Sequence, residues 1–535
     1  MAAGVSSLVF WTLSAAIFLN LVAYLVALLR VTMWNPYKLH RIMRQRGYGG
    51  PPLSWTMHNR DEAAEIFLHS RTVLKPIFGT VDHNIRHRVL PHYFEWSRRY
   101  GRRFVCSPRK ASQCMLWAGT EAEVIREVLV NSKTGFFGKS QTSSSDALLG
   151  RGGLVLVTDF HEWSRQRRVV RPIFYAGKVK ETGSIMMEVA KPWLAGLAKK
   201  VEENGAWTEV EMVQEIGMVT KDILSRAAFG SDYLQGRKGF DGQQKLKVLE
   251  FAHGGANALL RRLPTKINKE IRKTRELVTK TLTEIIQERR RSVESGQRTS
   301  YGDDLLGVIL TDGEAHNANS KNTTKCTDEQ LVDQCRTFFF AGHDTVQVSI
   351  AWTLVLLAHY PEWQDRIRQE VFDVLGHEDV ELHAGTKLHK FNLLHQFVYE
   401  TMRLYPPVPQ IIRQVVKDGA TLLGEPVPKS LDILIEPLSV HRNPEYWGAD
   451  AEEFKPERFA KGISHACSHP YAYIPFGAGP RICVAQNQAM AEVLLITVLF
   501  LMKFRFKLSP SYKHSPIHCI VLEPSSGVQL LLQKL

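Results

Sequence analysis

The chain has 535 residues, 44% hydrophobic and 23% charged, which are globular proportions. Its net charge of +14 suits a solvated basic face, an anionic membrane or an acidic protein partner; nucleic acid is disfavoured, because the basic residues are scattered and not interleaved with stacking aromatics. Seven cysteines (Cys106, Cys114, Cys326, Cys335, Cys467, Cys483 and Cys519) form no regular framework, which argues against a disulfide scaffold and fits free thiols in a reducing compartment.

Val5 to Leu29 contains no charged residue and is long enough to cross a hydrocarbon core of about 30 Å as a helix. Arg30, Lys38, Arg41, Arg44 and Arg46 follow, with Trp34 and Tyr37 as interfacial anchors. That charge bias puts everything after Leu29 in the cytosol. A cleavable signal peptide is disfavoured by the uncharged start, the long apolar run and the lack of a clear cleavage site. Residues 1–30 therefore read as a membrane anchor. Residues 31–52 read as a basic hinge closing on "RGYGGPPL", and 53–535 as one helical body with minor sheet, too intermixed to divide.

In "DFHEWSRQRRVVRPIF", Trp163 and Arg167 lie at i and i+4, so an indole N–H and a guanidinium share a face and can grip an anion. A cation–π pair or an exposed basic face has the same spacing. The preceding "GKSQTSSSDALLGRGG" is a candidate substrate cover or a plain surface loop. "TEVEMVQEIGMVTKDILSRAAFG" reads as an amphipathic helix ending at Gly230, and "INKEIRKTRELVTKTLTEIIQERRRSV" as a long charged helix with a solvent face. "LTDGEAHNANSKNTTKCT" reads as a polar loop, whose sequon at Asn322 should stay bare in the cytosol.

From Thr327, with Gln330 completing a capping box, an apolar helical pattern runs to His359. It predicts a buried helix of roughly 30 residues, about 45 Å long. Its middle holds Gly342, His343, Asp344 and Thr345. Mid-helix glycine costs about 1 kcal/mol relative to alanine, and buried Asp costs more unless paired. A packing notch with a satisfied polar pair is one reading. The favoured one is a local opening beside a ligand, with a hydroxyl and a carboxylate placed for proton delivery.

"FVYETMRLYPP" puts Glu400 and Arg403 on one helix face, flanked by apolar residues that suggest burial, and "EEFKPERF" supplies Arg458 as a third member. Strands are expected at "QIIRQVV", "DILIEPL" and "GVQLLLQKL". In "YIPFGAGPRICVAQNQAMAEVLL", one cysteine sits where a Gly/Pro loop feeds a helix beginning near Cys483. A helix N-terminus favours thiolate, and Gly477 and Gly479 permit close approach to the backbone. An ordinary buried cysteine is the bland alternative. Zinc bound by His465, Cys467, His469 and Cys483 is disfavoured by unsuitable spacing.

These residues resemble the cytochrome P450 monooxygenases. Phe476, Gly479, Arg481 and Cys483 match the haem signature F-x-x-G-x-R-x-C-x-G, with Ala485 in place of the last glycine. Ala341, Gly342, Asp344 and Thr345 match [AG]-G-x-[DE]-T-[TS], with Val346 replacing the final hydroxyl. Glu400 and Arg403 match E-x-x-R, Arg458 its usual third member, and Trp163 and Arg167 match W-x-x-x-R. The motifs follow in the family's order. The resemblance implies a mainly α fold with minor β (the P450 fold), behind one N-terminal transmembrane helix.

By that resemblance, Cys483 is the thiolate ligand of haem b, which favours O–O cleavage. Trp163, Arg167, Arg413 and Arg481 meet the haem propionates, and Phe476 packs near the thiolate. Asp344 and Thr345 relay protons. Glu400, Arg403 and Arg458 are structural. Phe338, Ala341, Thr345, Val408 and Ile411 line the substrate pocket, a composition that an ordinary apolar core shares. The implied partners are an NADPH-dependent cytochrome reductase, O₂ and a lipophilic substrate; the implied location is the endoplasmic reticulum membrane, single-pass. "YPEWQDRIRQEV" and "LSPSYKHSP" are similar to the plant clan of cytokinin, gibberellin, brassinosteroid and triterpenoid oxidases. That suggests hydroxylation of a terpenoid, hormone-like molecule or fatty acid. A haem-thiolate isomerase or dehydratase, or a non-catalytic haem sensor, is the alternative, and neither needs the Asp344–Thr345 pair.

Overall fold

The computed structural model describes residues 2–535 apart from 55–57, 75–76, 109–113, 132–134, 141–145, 206, 231–232, 254–261, 320–326 and 377–386. The sequon at Asn322 lies outside the described residues, as does part of the Ser-rich stretch before Trp163.

The apolar N-terminus forms a helix, Ala2–Leu29, whose large side chains (Phe10, Trp11, Leu19, Leu21) are exposed. It is the one helix among the described residues long and apolar enough to cross a membrane. The helical path does not stop at Arg30. It continues through a wider turn at Arg30–Trp34 into Asn35–Gln45. The non-helical part of the 31–52 stretch is thus short, and it is docked: Val105 N–H donates to the Gly49 carbonyl, and a Cβ on Gly50 would lie 2.0 Å from the Val105 oxygen.

Among the described residues, five strands form the larger sheet, ordered Phe104–Cys106, Met115–Trp117, Asp432–Ile435, Ile411–Val415 and Phe137–Gly138. A second sheet orders Phe504–Leu508, Gln529–Lys534 and Thr208–Glu211. The segment from Thr208 is therefore not helical throughout. Four residues pair with the C-terminal strand before the helix Met212–Phe229 begins and Gly230 closes it in the left-handed region. The supposed polar loop from Leu310 is helical as far as Asn319, within Leu305–Asn319.

The long apolar pattern after Thr327 divides. The capping box forms as the sequence requires, but the helix stops at Ala341 and a second one, Asp344–His359, starts after a break at Gly342–His343. A Cβ on Gly342 would meet Leu224 at 2.7 Å and the Phe338 carbonyl at 2.8 Å, so the glycine seats a neighbouring helix. Each half belongs to a different apolar cluster. Phe338 and Phe339 pack with Phe174 and Phe240, whereas Trp352 and Leu356 pack with Phe500 and Tyr405. A third cluster lies under the larger sheet around Val105, Ile433 and Ile474.

Three buried histidines have had their pKa lowered from 6.5 by burial, His83 and His441 to about 3 and His514 to about 4. His83 bonds the hydroxyls of Tyr405 (3.1 Å) and Tyr360 (2.7 Å), and His514 bonds that of Tyr512 (2.9 Å). Below pH 6.5 the unfolded chain binds protons that these native imidazoles refuse. Stability is full above that pH and falls towards pH 4, each residue costing about 2 kcal/mol at pH 5. Thermal unfolding near neutrality and near pH 5 measures this; unchanged midpoints would mean that these histidines are not held neutral.

Candidate active site

The cysteine loop lies where the three clusters meet. Phe476 packs on the first, Val484 and Ala485 on the second, and Ile474 and Ala478 belong to the third. Tyr473 enters extended, and Ile474 N–H donates to His441 Nε2 at 2.9 Å. Gly477 and Gly479 take φ of +74° and +71°, and Cys483 N–H closes the turn on the Phe476 carbonyl at 3.0 Å. The following helix begins at Gln486, three residues later than the sequence pattern suggested. Gly479 serves a packing need: a Cβ there would lie 2.0 Å from the Leu129 oxygen, so the close approach is by protein backbone.

Cys483 retains accessible surface. The surrounding protein still desolvates its thiol and raises its pKa, against the opposing pull of the Ala485 backbone N–H and the Arg167 guanidinium. On one side stand four cations. Arg481 lies 4.6 Å over the Trp163 ring, which Arg167 approaches at 5.8 Å. Arg481 donates Nη2 to the Val157 carbonyl at 3.1 Å, while its buried Nη1 has no hydrogen-bond partner. Burial and the neighbouring Arg167 push its pKa down to about 10; burial and Arg481 push Arg413 to about 9. The fourth cation was not legible in the sequence. Antiparallel pairing of Phe137 with Val415 and Gly138 with Gln414 carries Lys139 opposite Arg413, and burial with Arg413 and Arg481 drives its pKa well down. Like charges gathered around an orphaned guanidinium N–H make a receptor for a multivalent anion.

Across the break, Ala341, Gly342 and Thr345 stay half-buried between fully buried flanks, as does Val408, and Ile411 is half-buried too. Phe338 differs from these five: it is buried and stacked on Phe174 at 6.2 Å. Thr345 donates its hydroxyl to the Ala341 carbonyl at 2.9 Å, leaving its oxygen free to accept. Asp344 is buried and fully engaged. Lys247 holds Oδ2 at 2.5 Å and Gln244 holds Oδ1 at 2.6 Å, both from the helix Tyr233–His253. Burial pushes its carboxyl up, and His343, Lys247 and Gln244 more than offset it, holding it below the ordinary range. His343 bonds the Phe339 carbonyl through Nδ1 at 2.9 Å, and burial keeps its pKa near 4. The sequence suggested Asp344 as a candidate for proton delivery but did not reveal its clamp, because Lys247 and Gln244 look like an ordinary polar face of a distant helix.

Glu400 and Arg403 are wholly buried and paired twice at 2.7 Å. Arg403 also donates to the carbonyls of His441, Ala451 and Glu453. Arg458 reaches Glu400 only as a charge contact at 3.6 Å and is held mainly by Trp447 and Asp450. The pair thus fixes His441, and His441 fixes the start of the cysteine loop. For the zinc alternative, Cys467 turns to the His469 carbonyl at 3.2 Å, and no three His, Cys, Asp or Glu side chains are arranged to hold a metal among the described residues.

The family model for Cytochrome P450 matches residues 72–532. The chain belongs to the cytochrome P450 family. A cytokinin hydroxylase of Arabidopsis thaliana is 35% identical, covering 94% of each chain. The 7-deoxyloganic acid hydroxylase of Catharanthus roseus is 30% identical, over 97% of this chain and 98% of the other. The echinocystic acid 23-monooxygenase of Saponaria officinalis is 32% identical, over 94% and 95%. The retinoic acid-bound cyanobacterial CYP120A1 superposes with a TM-score of 0.68 at 21% identity, over 82% of this chain and 93% of the other, which shows the shared fold. This is therefore a cytochrome P450 monooxygenase, a family whose chemistry requires a haem-thiolate cofactor, a reductase and a small-molecule substrate. The accessible thiol beside an N–H donor and the unpaired cation cluster fit an iron porphyrin with two carboxylates.

Proposed function

We propose that this P450 is anchored by residues 1–30 in the endoplasmic reticulum membrane and that residues 53–535 are its cytosolic catalytic domain. There it hydroxylates a hydrophobic small molecule of terpenoid, plant-hormone-like or fatty-acid type. Relatives named for cytokinin, 7-deoxyloganic acid and echinocystic acid support that range. Electrons come from an NADPH-dependent reductase attracted by the positive net charge. The carrying observation is the accessible Cys483 thiol, with an N–H donor behind it and four cations beside it.

Bound haem b supplies the O₂-activating chemistry that no side chain offers. Cys483 would supply its thiolate ligand. Arg413, Arg481, Arg167 and Lys139 would neutralise its propionates, and Trp163 supports Arg481 by stacking. Half-buried Ala341, Val408 and Ile411 hold apolar substrate, and the Thr345 oxygen accepts a hydrogen bond at the break. The clamped Asp344 favours the monooxygenase reading over a haem-thiolate isomerase, which needs no proton relay.

The test is the CO difference spectrum of dithionite-reduced protein, wild type beside Cys483→Ser. A thiolate-type Soret band, lost in the variant, is expected. Haem-free wild type, or an unchanged band in C483S, would overturn the assignment.

A further inference from the structure

The glycine-rich stretch before Trp163, open in the sequence between a substrate cover and a plain loop, is bonded down in its described part. Its end, with the residues up to Val157, forms a turn pressed on the first half of the split helix, Asp328–Ala341. Asp333, 5% exposed, accepts the Gly152 N–H on Oδ2 at 3.0 Å and the Arg336 guanidinium on Oδ1 at 2.9 Å. Thr337 donates its hydroxyl to the Leu149 carbonyl at 2.6 Å. No side chain fits between the two: a Cβ on Gly153 would lie 2.0 Å from the Thr337 hydroxyl oxygen, and one on Gly150 2.6 Å from the Asp333 carboxyl.

The same turn reaches the cations beside Cys483 by two routes. The Leu156 and Val157 N–H groups donate to the Gly153 carbonyl at 3.0 and 2.9 Å, and the Val157 carbonyl in turn takes Arg481 Nη2 at 3.1 Å. Gln166, 1% exposed on the helix Phe160–Val170 that carries Trp163 and Arg167, donates to the Gly152 carbonyl at 2.9 Å. Gly152 is thus held by the split helix at its N–H and by the Trp163 helix at its carbonyl. Leu154 and Leu156 are buried in the second cluster, but apolar packing has no direction, whereas a hydrogen bond sets where a carbonyl points. Direction matters here, because Arg481 and Arg167 approach one ring and repel each other, so neither holds its place unaided.

We propose that Asp333 is a positioning residue for the haem grip: through Gly152 and the turn it fixes the Val157 carbonyl that aims Arg481, and through Gln166 it braces the helix bearing Trp163 and Arg167. This rests on the haem-thiolate reading above. Asp333 itself touches neither cofactor cation; it acts through the turn. An Arg481 held in place would neutralise a propionate. An Arg481 turned aside would leave that anion uncompensated, so haem would be released faster and its ferric form favoured over the ferrous. The stretch is on this reading a fixed strut between the split helix and the cysteine loop, and Gly150, Gly152 and Gly153 are there because the strut lies flat on Asp333 and Thr337.

The experiment uses full-length haem-loaded protein in three forms: wild type, Asp333→Leu with Arg336→Met, and Asp333→Asn with Arg336→Met. Removing both charges together avoids stranding a buried one. The two variants share net charge and nearly share size, and differ in whether residue 333 can accept the Gly152 N–H. Denaturant midpoints near wild type are expected in both. D333L/R336M should lose haem to excess apomyoglobin about 10-fold faster, the scale of one hydrogen bond to a charged group, and its reduction potential should fall. D333N/R336M should stay near wild type in both respects. Should D333L/R336M fold poorly, Thr337→Val carries the test, since it removes one hydroxyl bond to the turn and should speed haem loss about 3-fold. Wild-type protein lacking the thiolate band in its reduced CO spectrum would sink the haem reading itself. With that band present, wild-type haem loss and potential in D333L/R336M would overturn the role of Asp333, as would equal changes in the two double variants or a T337V protein that releases haem at the wild-type rate.

Discussion

Arg403→Ala is expected to yield protein that folds poorly and holds little haem. The guanidinium it removes is wholly buried, paired twice with Glu400 and bonded to three carbonyls. Breaking such a pair leaves the Glu400 charge buried without its partner, at a cost of about 3–5 kcal/mol. That is a large share of a typical net stability of about 5–15 kcal/mol. The damage should spread along a defined path, because His441 loses the restraint on its carbonyl and the Ile474 N–H then loses a fixed acceptor. Arg403→Lys keeps the charge but neither the bidentate geometry nor the three carbonyl bonds, so it should recover little. Denaturant midpoints and haem per polypeptide decide it. A stable, haem-replete R403A would show that the pair is not what braces the loop.

Gly479→Ala should rank close behind. The new Cβ would sit 2.0 Å from the Leu129 carbonyl oxygen, at a φ of +71°. The left-handed backbone alone costs a non-glycine residue about 1–2 kcal/mol, and forcing apart a packed contact adds about 1–3 kcal/mol. Relief requires moving either the 126–130 segment or the loop that carries Cys483. Gly477→Ala is the natural control. Its φ is +74°, but its nearest neighbour is Ile411 Cδ1 at 3.8 Å, so it should bear the conformational cost alone. Equal loss of midpoint in G477A and G479A would mean that backbone conformation, and not the Leu129 contact, imposes the glycine. In both variants the reduced CO spectrum reports whether Cys483 stays in place.

The sequence by itself determined the family and the order of its motifs. Those signals are local: an i,i+3 pair, an i,i+4 pair, a capping box at Thr327 and a Gly/Pro loop around one cysteine each specify short-range geometry. The uncharged run from Val5 likewise determined a long apolar helix, since composition alone makes that segment insoluble in any other form. Periodicity was less reliable where two elements abut. The strand Thr208–Glu211 was absorbed into a helical pattern, because four residues cannot outvote eighteen and only pairing with Gln529–Lys534 makes them a strand.

Only the tertiary structure decided which charges meet. Lys139 reaches Arg413 through strand register, and Lys247 reaches Asp344 and Glu523 through the packing of three elements. No spacing along the chain encodes either contact. The break at Gly342 was visible as a misplaced glycine, but its cause, the seat for Leu224, belongs to another helix. Charges pair by distance in space, and a folded chain places at one point residues that lie about a hundred, or nearly three hundred, positions apart. The sequence could therefore single out candidate groups for the chemistry, and the packing alone could supply the partners that set their charge.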